Sequence, residues 1–152
     1  MQEDYEITRA TYAVVALSKS ESLVIEENNQ FKVSKPSLKI IDDSCRAFGS
    51  TYAGRFEGSK SLIGSSYKTP IVIFDGNNTI FFPTSSPRLK ECSWISFNNI
   101  KSYRKLSTGT KIIFKNDVEY IFDVSYYVVE NQIFKSAMLQ SKIYHAKMSK
   151  TS

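Results

Sequence analysis

Between Arg46 and Lys68 the sequence interleaves cations with short hydroxyl residues and glycines. Arg46, Arg55, Lys60 and Lys68 are separated by Ser50, Thr51, Ser59 and Ser61, with Tyr52 among them and Glu57 the one acid in the interval. Arginine and lysine bring charge, hydroxyls and bare backbone N–H groups bring donors, and a tyrosine ring can pack on a sugar or a base. Together these groups suit phosphate. The plainer alternative is that Gly and Ser are there as loop formers. Lys39, Arg88 and Lys90 add positive charge outside the stretch and form a secondary basic set.

Which phosphate is meant can be narrowed. Gly49-x-x-x-x-Gly54 has the glycine spacing of a nucleotide-binding loop, but Arg55-Phe56 stands where Lys-Ser/Thr is needed. A phenyl ring cannot ligate magnesium, so a triphosphate site is excluded. Two distant cysteines, Cys45 and Cys92, and one histidine, His145, offer no zinc spacing and no ready general base. Asp42-Asp43 are adjacent, diverge by about 100° on a helix, and read as a solvated face and not a catalytic dyad. Neither an enzyme nor a cofactor or metal site is expected.

The charge distribution points the same way. Residues 1–30 carry two bases and six acids, whereas residues 31–70 carry seven bases and three acids, within a formal net charge of +5. A basic body behind an acidic N-terminus invites a polyanion. The start, MQEDYEIT, lacks an apolar core, and no early apolar run approaches the roughly 20 residues of a membrane helix. A cytoplasmic protein with reduced thiols and no membrane partner is expected.

The elements that must position these groups follow from periodicity. Residues 7–17 and 22–33 read as strands, the second broken at Glu26-Glu27-Asn28-Asn29. Pro36 opens a helix over 36–48 with Leu38, Ile41, Cys45 and Phe48 on one face, and Gly49 stops it. Cys45 is then a small core residue. Tyr52, Phe56 and Ile63 permit a second short helix, which Gly54 and Gly58 oppose at about 1 kcal/mol each. If helical, that segment shows bare backbone where something can approach closely. Strands are expected at 69–75, 79–84, 93–97, 100–106, 110–115 and 118–124, with turns at Gly76-Asn77-Asn78 and Asn116-Asp117. Ser125 caps a closing helix over 125–148 with Tyr126, Val129, Ile133, Ala137 and Tyr144 inward, Lys135 and Lys142 outward, and a frayed tail after Lys147. The fold class is α+β, one domain over 1–152. It is a mainly antiparallel β sheet or roll, similar in element order to a pleckstrin-homology-like roll, with a helical insertion near 36–63.

The string DDSCRAFGSTYAGRFEG at 42–58 resembles the central motif of the competence transcription factor (ComK) family of Gram-positive bacteria. YKTPIVI (67–73), FFPT (81–84), CSWIS (92–96) and VSYYVVENQIF (124–134) follow in the family's order, so the resemblance spans about 36–144. It implies a DNA-binding transcriptional activator of competence genes, cytoplasmic and nucleoid-associated. Such a protein acts on double-stranded A/T-rich boxes as a dimer or paired dimers, largely from the minor groove. RNA polymerase and a proteolytic adaptor are implied as further partners. Longer members continue past the closing helix, so a C-terminally short member is expected. Arg46 and Arg55 match the arginines of the motif and are the expected groove contacts, with Ser50, Thr51, Lys60 and Lys68 on phosphates and Lys39, Arg88 and Lys90 supporting them. Tyr52, Phe81, Phe82 and Trp94 are expected mainly as packing. Two alternatives stay open: a helix–Gly49–helix unit docking in the major groove, and a non-enzymatic roll that recognises acidic lipid headgroups or a protein partner.

Overall fold

The computed structural model describes residues 1–74 and 79–151, so the turn expected at Gly76-Asn77-Asn78 lies outside the described residues. Its centre is a six-stranded antiparallel sheet of β1 (Thr11–Ser18), β2 (Glu21–Glu26), β3 (Gln30–Val33), β4 (Ile71–Phe74), β5 (Thr79–Pro83) and β6 (Trp94–Ser96), in the order β3-β2-β1-β6-β5-β4. A second, three-stranded sheet comprises β7 (Ile100–Lys105), β8 (Thr110–Phe114) and β9 (Glu119–Phe122). The antiparallel α+β reading therefore holds, with the strands divided between two sheets.

Consecutive residues on each central strand face opposite ways, because side chains alternate along a pleated strand. Val14, Val24, Phe81 and Trp94 join one core; their neighbours Val15, Ile25, Phe82 and Ile95 join another. Both faces are covered, which is why these strands read as nearly continuous apolar runs. The first core is closed by Ile40, Ile41 and Cys45 of α1 (Ser37–Ala47), and the second by Ile112, Phe114 and Phe122 with Val129 of α3 (Tyr126–Thr151). A third, smaller cluster joins Val72 and Ile80 to Leu139 of α3, with Ile63 at the end of α2 (Tyr52–Ile63) packed against it.

Some expectations need correction. Phe48 does not complete the buried face of α1; it is 51% exposed and packs on Phe74, ring centroids 4.7 Å apart. Pro36 stands at the N-cap, with extended backbone, and the helix begins after it. The buried face of α3 is Val129, Gln132, Ser136 and Leu139, while Ala137 and Tyr144 are exposed. Gln132 is admitted because its Nε2 donates to the carbonyls of Lys68 and Pro83, both at 2.7 Å, and Ser136 donates to Gln132 O at 2.8 Å. Lys135 is half-buried and donates to Tyr67 O at 2.8 Å, and α3 runs through the tail expected to fray. Ser125 does cap it, accepting the N–H of Val128 at 3.2 Å.

Candidate nucleic-acid interface

The helical insertion is an α1–turn–α2 unit. Gly49 takes φ 80°, a conformation open to glycine at little cost, and its N–H closes on Arg46 O at 3.1 Å. Three residues later α2 begins, although two glycines weaken it. Its ends hold it. Thr51 Oγ1 accepts the Gly54 N–H at 2.9 Å, and Gly64 stops the helix at φ 70° with its N–H on Lys60 O at 2.8 Å. The third support comes from α1: Asp42 Oδ1 accepts the Tyr52 N–H at 2.8 Å while its Oδ2 accepts from Arg46 Nε at 2.8 Å.

Asp42 and Asp43 are therefore not a solvated face. Each side chain is only 23% exposed, and each is a joint. Asp43 accepts from Lys35 at 2.7 Å and from Lys39 at 2.8 Å. Burial alone would raise both pKa values. The hydrogen bonds and charges of Arg46 and the Tyr52 N–H at Asp42, and of Lys35 and Lys39 at Asp43, outweigh it and hold both carboxyls below the usual range.

Beside this pair lies a groove of about 720 Å³ whose lining includes Lys19, Lys39, Arg46, Arg88 and Lys90 around Pro36, Leu38, Tyr52 and Leu89. The loop that supplies Arg88 and Lys90 is pinned at its base. Thr84 and Ser93 exchange hydrogen bonds at 2.9 and 3.0 Å, and Ser37 at the start of α1 donates to Cys92 O at 2.6 Å. Lys39 and Arg46 each have an aspartate four residues away as partner, whereas Lys19, Arg88 and Lys90 form no ion pair among the described residues. Tyr52 lines the groove edge-on to Trp94, centroids 5.9 Å apart, and burial pushes its phenol up to about 12. Cys45 and Cys92 are buried free thiols, and burial raises Cys45 to about 11.

The structure thus brings Lys39, Arg46, Thr51, Tyr52, Arg88 and Lys90 into one groove and leaves the rest of the expected set outside it. Ser50 and Arg55 line a small cleft with Gly54 and Gly58, between α2 and the Leu139–Lys147 part of α3. Lys60 is exposed in the last turn of α2. Lys68, at φ 47°, sits beside α3 with its ammonium 4.9 Å from the Tyr67 ring centroid. Lys19, in the turn between β1 and β2, is the groove cation that sequence reasoning missed; a single lysine among serines carries no signal there. Among the described residues no cluster of acids, histidines and cysteines could hold a metal ion, and no helix is long and apolar enough to cross a membrane.

The sequence profile of the family described as ComK protein matches residues 2–148. A competence transcription factor of Bacillus subtilis (strain 168) is 36% identical over 144 residues, covering 92% of this chain and 75% of that protein. The chain belongs to the ComK family. The ComK match extends the resemblance into the N-terminal strands, so the whole six-stranded sheet lies within it. In this ComK protein the 42–58 motif builds the second half of α1, the turn and the first half of α2. No solved structure matches the chain.

Proposed function

We propose that this protein is a competence transcription factor that binds duplex DNA through the groove between α1, α2 and the 84–93 loop. The observation that supports this most is the convergence of five cations from three segments on one open groove. Phosphate contacts need such an array, and Arg88, Lys90 and Lys19 have their charge available. The proposal extends to A/T-rich sites, where the narrow minor groove attracts arginine, with Arg46 nearest the bases and Thr51 on phosphate. It further holds that two or more copies bind together at the nucleoid to activate competence genes. The helix–turn–helix arrangement argues less for major-groove reading. A recognition helix presents side chains that reach base edges, and α2 exposes Ala53, Gly54, Glu57 and Gly58 over much of its length.

Duplex titration against salt tests the groove. Arg46→Ala, Arg88→Ala and Lys90→Ala should each weaken binding and flatten the log–log salt slope by about 1. An A/T-rich duplex should outcompete a G/C-rich one at physiological salt. Wild-type slopes in all three variants would remove the groove from the interface. Co-sedimentation with anionic liposomes in the absence of duplex binding would replace the proposal with headgroup recognition.

A further inference from the structure

Arg55 lies outside the basic groove, and its own surroundings are unusual. It is half-buried, its Nε–H is shielded from solvent, and that N–H meets no acceptor. Nor does Arg55 form an ion pair among the described residues. A shielded donor without a partner is uncommon in a folded protein and costs free energy. Arginine keeps its positive charge at every working pH, and its terminal N–H groups suit the oxygens of a phosphate or carboxylate.

A separate cavity of about 550 Å³ has Arg55 in its lining, with Glu6, Ile7, Thr8, Arg9, Phe48 and Phe74. Its size is that of a small-ligand site. Arg9 adds a second cation. Phe48 contributes a half-exposed ring, held in place by Phe74 behind it. An exposed aromatic ring beside arginine is the pairing that takes a nucleobase by stacking and its phosphate by charge. Glu6 lines the same cavity and can only accept hydrogen bonds when ionised, so it suits the amino group of a base better than a second phosphate.

We infer that the Arg55–Phe48 cavity binds a single nucleotide unit bearing an amino-substituted base, with the phosphate on Arg55 and the base on the Phe48 ring. Such a unit has two sources, an unpaired nucleotide of a DNA strand or a free mononucleotide. The site shares none of the groove's lining residues and does not depend on the groove reading.

The test is a titration of the full chain with dAMP, with inorganic phosphate and with short single-stranded oligo(dA), followed by backbone amide shifts. Saturable shifts at Ile7, Thr8, Phe48, Arg55 and Phe74 are expected with dAMP, and phosphate alone should bind about tenfold more weakly. Arg55→Gln and Phe48→Leu should each weaken dAMP about tenfold. Arg46→Ala should bind dAMP like wild type while binding duplex more weakly, which separates this site from the groove. Tighter binding of oligo(dA) than of dAMP identifies the strand as the source; equal binding identifies the free nucleotide. The inference is overturned if neither probe gives saturable shifts at these residues, or if dAMP binds no better than phosphate.

Discussion

Helices α1 and α2 are joined by four residues, yet they are held by opposite means. Helix α1 buries Ile40, Ile41 and Cys45 in the main core and would keep its place without its ends. Helix α2 fully buries only Ser59, carries two interior glycines, and depends on Thr51, Asp42 and Gly64 at or near its termini. One is an anchor secured by full burial, and the other rests on the partly buried Tyr52, Phe56 and Ile63 and on its caps. The pairing lets a weak helix carry a smooth glycine face, which lies at the cleft toward α3.

The largest break in this contrast is expected in α1. Ile41→Ala removes a side chain with no solvent exposure and should cost about 2–5 kcal/mol in urea denaturation, unfolding both helices together. Asp42→Asn acts on the joint and should cost about 1–3 kcal/mol, since it weakens both the Tyr52 N–H bond and the Arg46 pair. The same residue gives a pH signature. Asp42 and Asp43 titrate below their ordinary 3.8 in the fold. Their contribution is therefore complete above that unfolded-state value and is lost as pH falls through the folded-state value. Acid denaturation curves should show wild type losing stability in that acid window and Asp42→Asn losing less.

Thr51→Ala should cost about 1 kcal/mol, and hydrogen exchange should locate it: amides of α2 lose protection while those of α1 do not. The smallest effect has the opposite sign. A Cβ on Gly58 would meet nothing within 4 Å, so Gly58→Ala should stabilise α2 by about 0.5–1 kcal/mol. Gly54→Ala should gain less, because its Cβ would lie 2.9 Å from Ser50 Oγ and 3.3 Å from the capping Thr51 Oγ1. If Gly58→Ala gains stability but loses duplex affinity, the bare face of α2 is a place of close approach.

Legibility followed the same division. Helix α1, its Gly49 stop and the strands were readable because burial imposes a period on the sequence, and periods of 3.6 and 2 survive without coordinates. Helix α2 was readable only as a permitted segment: Tyr52, Phe56 and Ile63 have helical spacing, but Gly54 and Gly58 oppose it, and the caps that fix its ends leave no period. The inward face of α3 was misread because Gln132 and Ser136 are polar and buried. Their partners, the carbonyls of Lys68 and Pro83 for one and of Gln132 for the other, become visible only once the chain is folded. Phe48 was placed in the core by spacing, although the chain has already turned away there at Gly49.

By itself the sequence determined an antiparallel α+β protein, a basic body, the helical insertion and the motif whose ComK affiliation the family match bears out. Only the tertiary structure decided which cations meet. Lys19, Lys39, Arg46, Arg88 and Lys90 share a groove because the β1–β2 turn, the two helices and the pinned 84–93 loop gather beside one another. Arg55, nine residues from Arg46, lines other cavities instead. Charge carries no periodicity and no range in sequence; strand pairing and helix packing set the distances over which it acts.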